Sequence, residues 1–302
     1  MISLLLAPIV EVYRFALTPI APFTWFGLSF STLDVAAAVR LCVALRQLRE
    51  KHYQDHVQKV SDADKNSHPQ IERRSWLRDV SATLMVVYGG EAVTAPALGI
   101  PPSFMISGAV PAFYAVIQAL VDSIPSILYP TLYTELPVSI LDGFSRAFLL
   151  CTFIPPMVLQ HSWKSVSTSP WSLLLTSLAT ANGGFFFINL FSFLHPYALT
   201  LTTPAELLPY GWTTADLWCA PLITGLYALL THAQPFWANV HAAAAGALGA
   251  PGPSADPVDP EVARALCAAV LATVFAARTY RTYGVPPAKV GVKLTGEKTK
   301  VQ

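Results

Sequence analysis

Charge is what this chain of 302 residues has least of: Asp, Glu, Lys and Arg make up 12% of it, against a usual share of about a quarter, while 53% is hydrophobic. That balance excludes an ordinary soluble core and places the chain among membrane proteins. Cysteine is sparse too. The four present, Cys42, Cys151, Cys219 and Cys267, show no metal or redox spacing and lie in apolar stretches, so they read as free buried thiols. No His-Glu-x-x-His pair, Gly-x-Ser-x-Gly elbow or Gly-Lys-Ser/Thr phosphate loop occurs, so no enzyme chemistry and no metal site is indicated. Basic residues do not interleave with aromatic ones, which argues against nucleic acid as a partner. The N-terminus has no basic run before its first apolar stretch, and Glu11, Arg14, Pro19 and Pro22 interrupt that stretch. It is a poor cleavable signal, and residues 1–24 are expected at the non-cytosolic interface.

What the chain has is apolar length. Windows of roughly 20 residues, enough to cross hydrocarbon, fall near 25–47, 76–98, 103–124, 136–160, 169–194, 213–236 and 260–280. The expectation is an all-α membrane protein with seven transmembrane helices over 25–280. Of its 19 Lys and Arg, eight run from the end of the first window to the start of the second (Arg46 to Arg78) and six from the end of the last window onward (Arg278 to Lys300). The positive-inside rule puts both regions, a charged loop at 48–75 and a tail at 281–302, in the cytosol. Seven crossings then place the N-terminus on the far side, so charge and count agree.

Two windows share a design. Trp76 precedes Gly89-Gly90 by 13 residues, with Glu91 and Pro96 following; Trp171 precedes Gly183-Gly184 by 12, with Asn182 before them. Two readings stand: helices interrupted near the midplane to form a solute or ion pathway, or glycines that let two helices pack closely. Asp34 and Asp142 open the first and fourth windows, 55 and 41 residues ahead of the glycine pairs. Spans one to three and four to six thus read as two copies of a three-helix unit, inverted because three is odd, with the seventh helix added.

Ionisable groups inside the spans need partners or water, since one charge at a helix centre costs about 2.5–3.5 kcal/mol on insertion scales. They are Asp34, Arg40, Glu91, Asp122, Asp142 and Arg146. Asp142 and Arg146, four apart, are expected to pair within one helix; alternatively Arg146 faces a wet cavity and responds to voltage. Arg40 is placed to snorkel. Asn182 and Asn189, seven apart, share a face that either bonds a neighbouring helix or lines a polar path. Glu91, beside the first glycine pair, would raise local cation concentration.

These stretches resemble the TRIC family, the trimeric intracellular cation channels of endoplasmic and sarcoplasmic reticulum. Asp34 with Arg46 twelve later, Ser75-Trp76-Leu77 with the glycine pair and Leu98-Gly99-Ile100-Pro101, and Leu136-Pro137-Val138 ahead of Arg146 carry the resemblance. It implies a homotrimer with one pore in each subunit, passing K⁺ and other monovalent cations to balance charge when Ca²⁺ leaves the store. It also implies glycine-broken second and fifth helices (Gly89, Gly90, Gly183, Gly184), phosphoinositide bound near them as the lipid partner, and Arg146 as the gating basic residue. The chain departs from the family in two places: Ala147 and Phe148 follow Arg146 where an acid is usual, and Ala181-Asn182 stand where animal members have a lysine. Lys300 and Lys298, third and fifth from the end, resemble a dilysine signal for return to the endoplasmic reticulum. Two rivals remain: a lipid-binding or scaffold membrane protein that kept the fold without conducting, and a small solute transporter.

Overall fold

The computed structural model describes residues 2–21, 29–62, 70–209, 211, 214–247 and 256–284; Lys298, Lys300 and the rest of the tail lie outside them. The chain is all-α, 76% helical, with no strand among the described residues. Twelve α-helices are described: α1 Ile2–Ala16, α2 Thr32–Asp62, α3 Trp76–Ala97, α4 Ser103–Ile106, α5 Ala109–Ser123, α6 Leu132–Phe148, α7 Ile154–Leu159, α8 Lys164–Ser167, α9 Pro170–Leu190, α10 Ala215–Thr231, α11 Pro235–Ala247 and α12 Pro260–Tyr283. Three stretches are long and apolar enough to cross a membrane: Leu132–Leu159, Pro170–Leu190 and Pro260–Tyr283. Helices α5 and α10 are apolar but shorter.

Two boundaries differ from the sequence expectation. The charged segment from residue 48 continues α2 as helix to Asp62 rather than forming a loop. Its residues are good helix formers, and Arg46 bonds Glu50 one turn on at 2.9 Å. The N-terminal segment, expected as one piece over 1–24, is helical over Ile2–Ala16 and packs on its neighbours. Leu6 and Val10 of α1 pack on Ala265 of α12, and the Tyr13 hydroxyl donates to the Phe144 carbonyl of α6 at 2.7 Å.

The most extensive pairings are α6 with α12 and α3 with α9. Around the first pair gathers the main core, in which Leu150, Ile154, Ile223, Leu271 and Phe275 are buried with Cys151, Cys219 and Cys267. Those cysteines and Cys42 are free and buried, as the spacing implied. Between α6 and α7, Leu149–Phe153 forms one π-helical turn. Pro155 supplies the reason: it has no N–H, so the Leu150 carbonyl five residues back loses its donor. Thr224 of α10 fills the vacancy, its hydroxyl donating to that carbonyl at 3.2 Å while also bonding the Ser177 hydroxyl of α9 at 2.7 Å.

The glycine pairs do not break their helices, contrary to the expectation that they would. Helices α3 and α9 run through them without interruption, and Pro96 falls in the last turn of α3. The pairs are where the two helices touch backbone to backbone. A Cβ on Gly90 would stand 2.1 Å from the Thr180 carbonyl oxygen, and one on Gly184 would stand 2.1 Å from that of Val86. Gly89 faces Gly184, and Gly183 faces Gly90. Farther along, Arg78 of α3 meets the end of α9 while Thr94 meets Thr180, so the two helices run antiparallel. Each interior glycine costs about 1 kcal/mol of helix propensity, and contact between small residues offsets it.

Substitution tests this directly. Gly90→Val or Gly184→Val is expected to destabilise the fold by about 1–3 kcal/mol or to prevent folding, as overpacking does. Gly108→Ala, at an N-cap with nothing within 4 Å of an added Cβ, should stay within about 0.5 kcal/mol of the parent. Thermal unfolding midpoints in detergent measure both.

Candidate functional site: a charged cavity among the helices

The polar residues carried by these apolar helices converge. Asp34 and Arg40 of α2, Asp142 and Arg146 of α6, and Asn182 and Asn189 of α9 all line one cavity of about 590 Å³. Tyr114, Thr180, Glu206, Asp216 and Arg278 complete its polar wall. Six of the residues singled out from the sequence, Asp34, Arg40, Asp142, Arg146, Asn182 and Asn189, therefore share one site. The glycines are absent from its lining and serve behind it, by bringing α3 against α9.

Local sequence fixes each group. Ser31 and Asp34 cap the start of α2 reciprocally. The Ser31 amide and hydroxyl donate to Asp34 Oδ2 at 2.8 and 2.6 Å, and the Asp34 amide donates to Ser31 Oγ at 3.2 Å. This is the Ser-x-x-acid arrangement of a helix start. Arg40 does not snorkel; it reaches across to α6, where Nη2 donates to Glu135 at 3.0 Å and Nε to Asp142 at 3.1 Å. The pairing expected between Asp142 and Arg146 is thus replaced by longer-range partners. Arg146 Nη1 donates to Asp216 of α10 at 3.4 Å, and Arg278 of α12 bonds the other oxygen of the same carboxylate. Both guanidiniums lie over the Phe275 ring, at 5.3 and 4.9 Å from its centroid. Asn182 donates to the Leu178 carbonyl at 2.9 Å and to the Leu217 carbonyl at 3.3 Å, so it ties α9 to α10 as well as lining the space.

Glu91 lies outside the cavity, unlike its expected place in a pathway. Its two carboxylate oxygens accept from the Ser103 amide at 2.6 Å and hydroxyl at 2.8 Å, holding the start of α4. Three lining charges escaped the sequence reading: Asp216 and Arg278, in the first and last turns of apolar windows, and Glu206 in a short turn between α9 and α10. Arg264 was missed as well. It lies inside the last span, over the Tyr13 and Phe148 rings at 5.0 and 5.7 Å, with its Nη1 donating to Thr152. A scan for every charge within each window, ends included, would have found all but Glu206.

A second polar cluster closes the end of the bundle from which α2 projects. Arg49 and Arg74 both reach Asp79 and Asp122, joining α2, α3 and α5. Gln118 extends it, donating to Asp122 at 2.9 Å and accepting from Thr83 at 2.7 Å. Beside it, Arg78 gathers the chain leaving α9. Its guanidinium donates to the carbonyls of Ser192, Phe193, His195 and Tyr197 at 2.9–3.1 Å. His195 stacks on His52 of α2 at 4.3 Å and on Tyr197 at 5.0 Å. Burial, followed by the surrounding His52, Arg78, His56 and Lys59, pushes the His195 imidazole down to about 4. His52 is lowered too, chiefly by burial.

No family model matches the chain, and no curated protein and no solved structure matches it.

The His195 shift sets a pH dependence. Above pH 6.5 the imidazole is neutral in both folded and unfolded chains. As pH falls from about 6.5 to about 4 the unfolded chain takes up the proton first, so the folded state loses stability across that window. His195→Gln should flatten that part of the curve of unfolding midpoint against pH. An unaltered slope would remove His195 as its source.

Proposed function

We propose that this protein is a cation channel of intracellular membranes, with one pathway inside each subunit formed by the charged cavity. The carrying observation is the composition of that cavity. Helices from both halves of the chain contribute to it, and its wall holds four carboxylates (Asp34, Asp142, Glu206, Asp216) against three guanidiniums (Arg40, Arg146, Arg278). An excess of negative groups around a space of this size between apolar helices raises local cation concentration. In this reading α2, α3, α5, α6 with α7, α9, α10 and α12 are the seven spans. The antiparallel contact of α3 with α9 supports two inverted three-helix units with α12 added.

The further elements of the reading follow from the resemblance. K⁺ is the main permeant ion, its flux offsetting Ca²⁺ release from the endoplasmic reticulum. The chain assembles as a homotrimer, its C-terminus is cytosolic, phosphoinositide is its lipid partner, and it performs no enzymatic chemistry. Arg146 is the gate, because its bond to Asp216, shared with Arg278, spans α6, α10 and α12 across the cavity. One observation favours the scaffold form of the rival, a lipid-binding or scaffold protein that does not conduct: every guanidinium in the wall is already held in an ion pair. A small solute transporter would instead show saturating, solute-specific uptake.

Purified protein in planar bilayers under a KCl gradient separates these readings. Cation-selective steps are expected. Arg146→Ala should raise open probability by up to about tenfold, the factor that corresponds to roughly 1.4 kcal/mol of lost closed-state contact. Silence from folded, trimeric protein would favour the non-conducting reading.

A further inference from the structure

The carboxylates of the cavity differ in one respect. Asp142 is engaged by Arg40, Asp216 by Arg146 and Arg278, and Asp34 by the Ser31 amide and hydroxyl. Glu206 has no such partner: its Oε2 is buried and accepts no hydrogen bond, and no ion pair to it occurs among the described residues. A carboxylate oxygen shielded from bulk water without a donor is costly unless something else neutralises it. The backbone around it is held firmly in place. Gly211 packs so closely on this turn that a Cβ there would stand 2.2 Å from the Ala205 carbonyl oxygen and 2.7 Å from the Glu206 carbonyl carbon.

We propose that Glu206 is a binding site for a monovalent alkali cation within the cavity. Three observations select that class of ligand. An anion would need a free guanidinium, and those in the wall are paired. A divalent ion such as Ca²⁺ or Mg²⁺ is ordinarily held by several carboxylates or carbonyls in defined geometry, whereas only one carboxylate here is unengaged. Finally, the wall as a whole carries four carboxylates against three guanidiniums, an imbalance that favours a cation over an anion. Glu206 would thus select the ion, whereas Arg146 controls its passage. The assignment rests on the reading of the cavity as accessible to cations, but not on conduction itself.

The test therefore has two arms. In detergent, the unfolding midpoint of the full chain is measured in KCl and in choline chloride at equal ionic strength. The parent should be stabilised by K⁺, as ligand binding to the folded state requires; Glu206→Gln should lose that response and Glu206→Asp should retain part of it. In bilayers, Glu206→Gln should lower the K⁺ over Cl⁻ permeability ratio several-fold. A parent indifferent to K⁺, or a Glu206→Gln variant that responds as the parent does, overturns the site. Currents of unchanged selectivity in Glu206→Gln together with an intact thermal response also overturn it while leaving the channel reading in place. A silent parent whose K⁺ response disappears in Glu206→Gln overturns the channel reading and leaves the site.

Discussion

At its centre the contact of α3 with α9 is made backbone to backbone, and the rest of the bundle is arranged around that fact. Where Gly90 faces the Thr180 carbonyl and Gly184 faces that of Val86, the helix axes come closer than any pair of branched side chains permits. Close approach behind the crossing leaves room in front of it, and the cavity occupies that room, bounded by Val86 and Val87 on one helix and by Thr180 and Asn182 on the other. Arg78 fastens one end of the crossing by collecting four carbonyls of the chain that follows α9. A lysine, with a point charge and three donors, has no planar fork to divide among four carbonyls.

Charge supplies the second level of organisation. Arg40 joins α2 to α6 through two carboxylates, and Asp216 joins α10 to α6 and α12 through two guanidiniums. These groups are only part-buried, and removing one partner would leave the other charged in an apolar surrounding, a loss of about 3–5 kcal/mol where burial is complete. Such pairs do little to raise net stability compared with apolar packing, but they specify which helix stands beside which. The same wall that fixes the arrangement is the wall of the cavity, so architecture and electrostatics there are set by the same residues.

Much of this was legible in the residues, and the failures have physical causes. Membrane-like composition, the placement of most helices, the buried cysteines and the need of the intramembrane charges for partners all follow from apolar length and from the cost of burying charge. Partner choice did not. Asp142 and Arg146 satisfy the spacing for a pair within one helix, yet Arg40 and Asp216 offer better geometry from other helices, a competition that sequence separation conceals. Gly89-Gly90 and Gly183-Gly184 were ambiguous because glycine both weakens a helix and lets a neighbour approach; only the neighbour's position decides. The helical continuation of α2 past residue 48 was readable from Arg46 and Glu50, spaced for a turn, but its charge suggested a loop. Glu206 carried no signal, since nothing in a connecting segment tells which carboxylate will be turned inward.

The π turn at Leu149–Phe153 carries a consequence of its own. A widened turn holds one residue more than a regular one, so the helical phase slips by about 100° on passing through it. Upstream, α6 lies along α12; downstream, α7 lies against α9. One continuous run of helix thus presents two faces to two different neighbours, without the loop that such a change of address ordinarily needs. Periodicity counted from Leu132 assigns the inward residues correctly only as far as Phe148. Beyond the wide turn the count must be restarted.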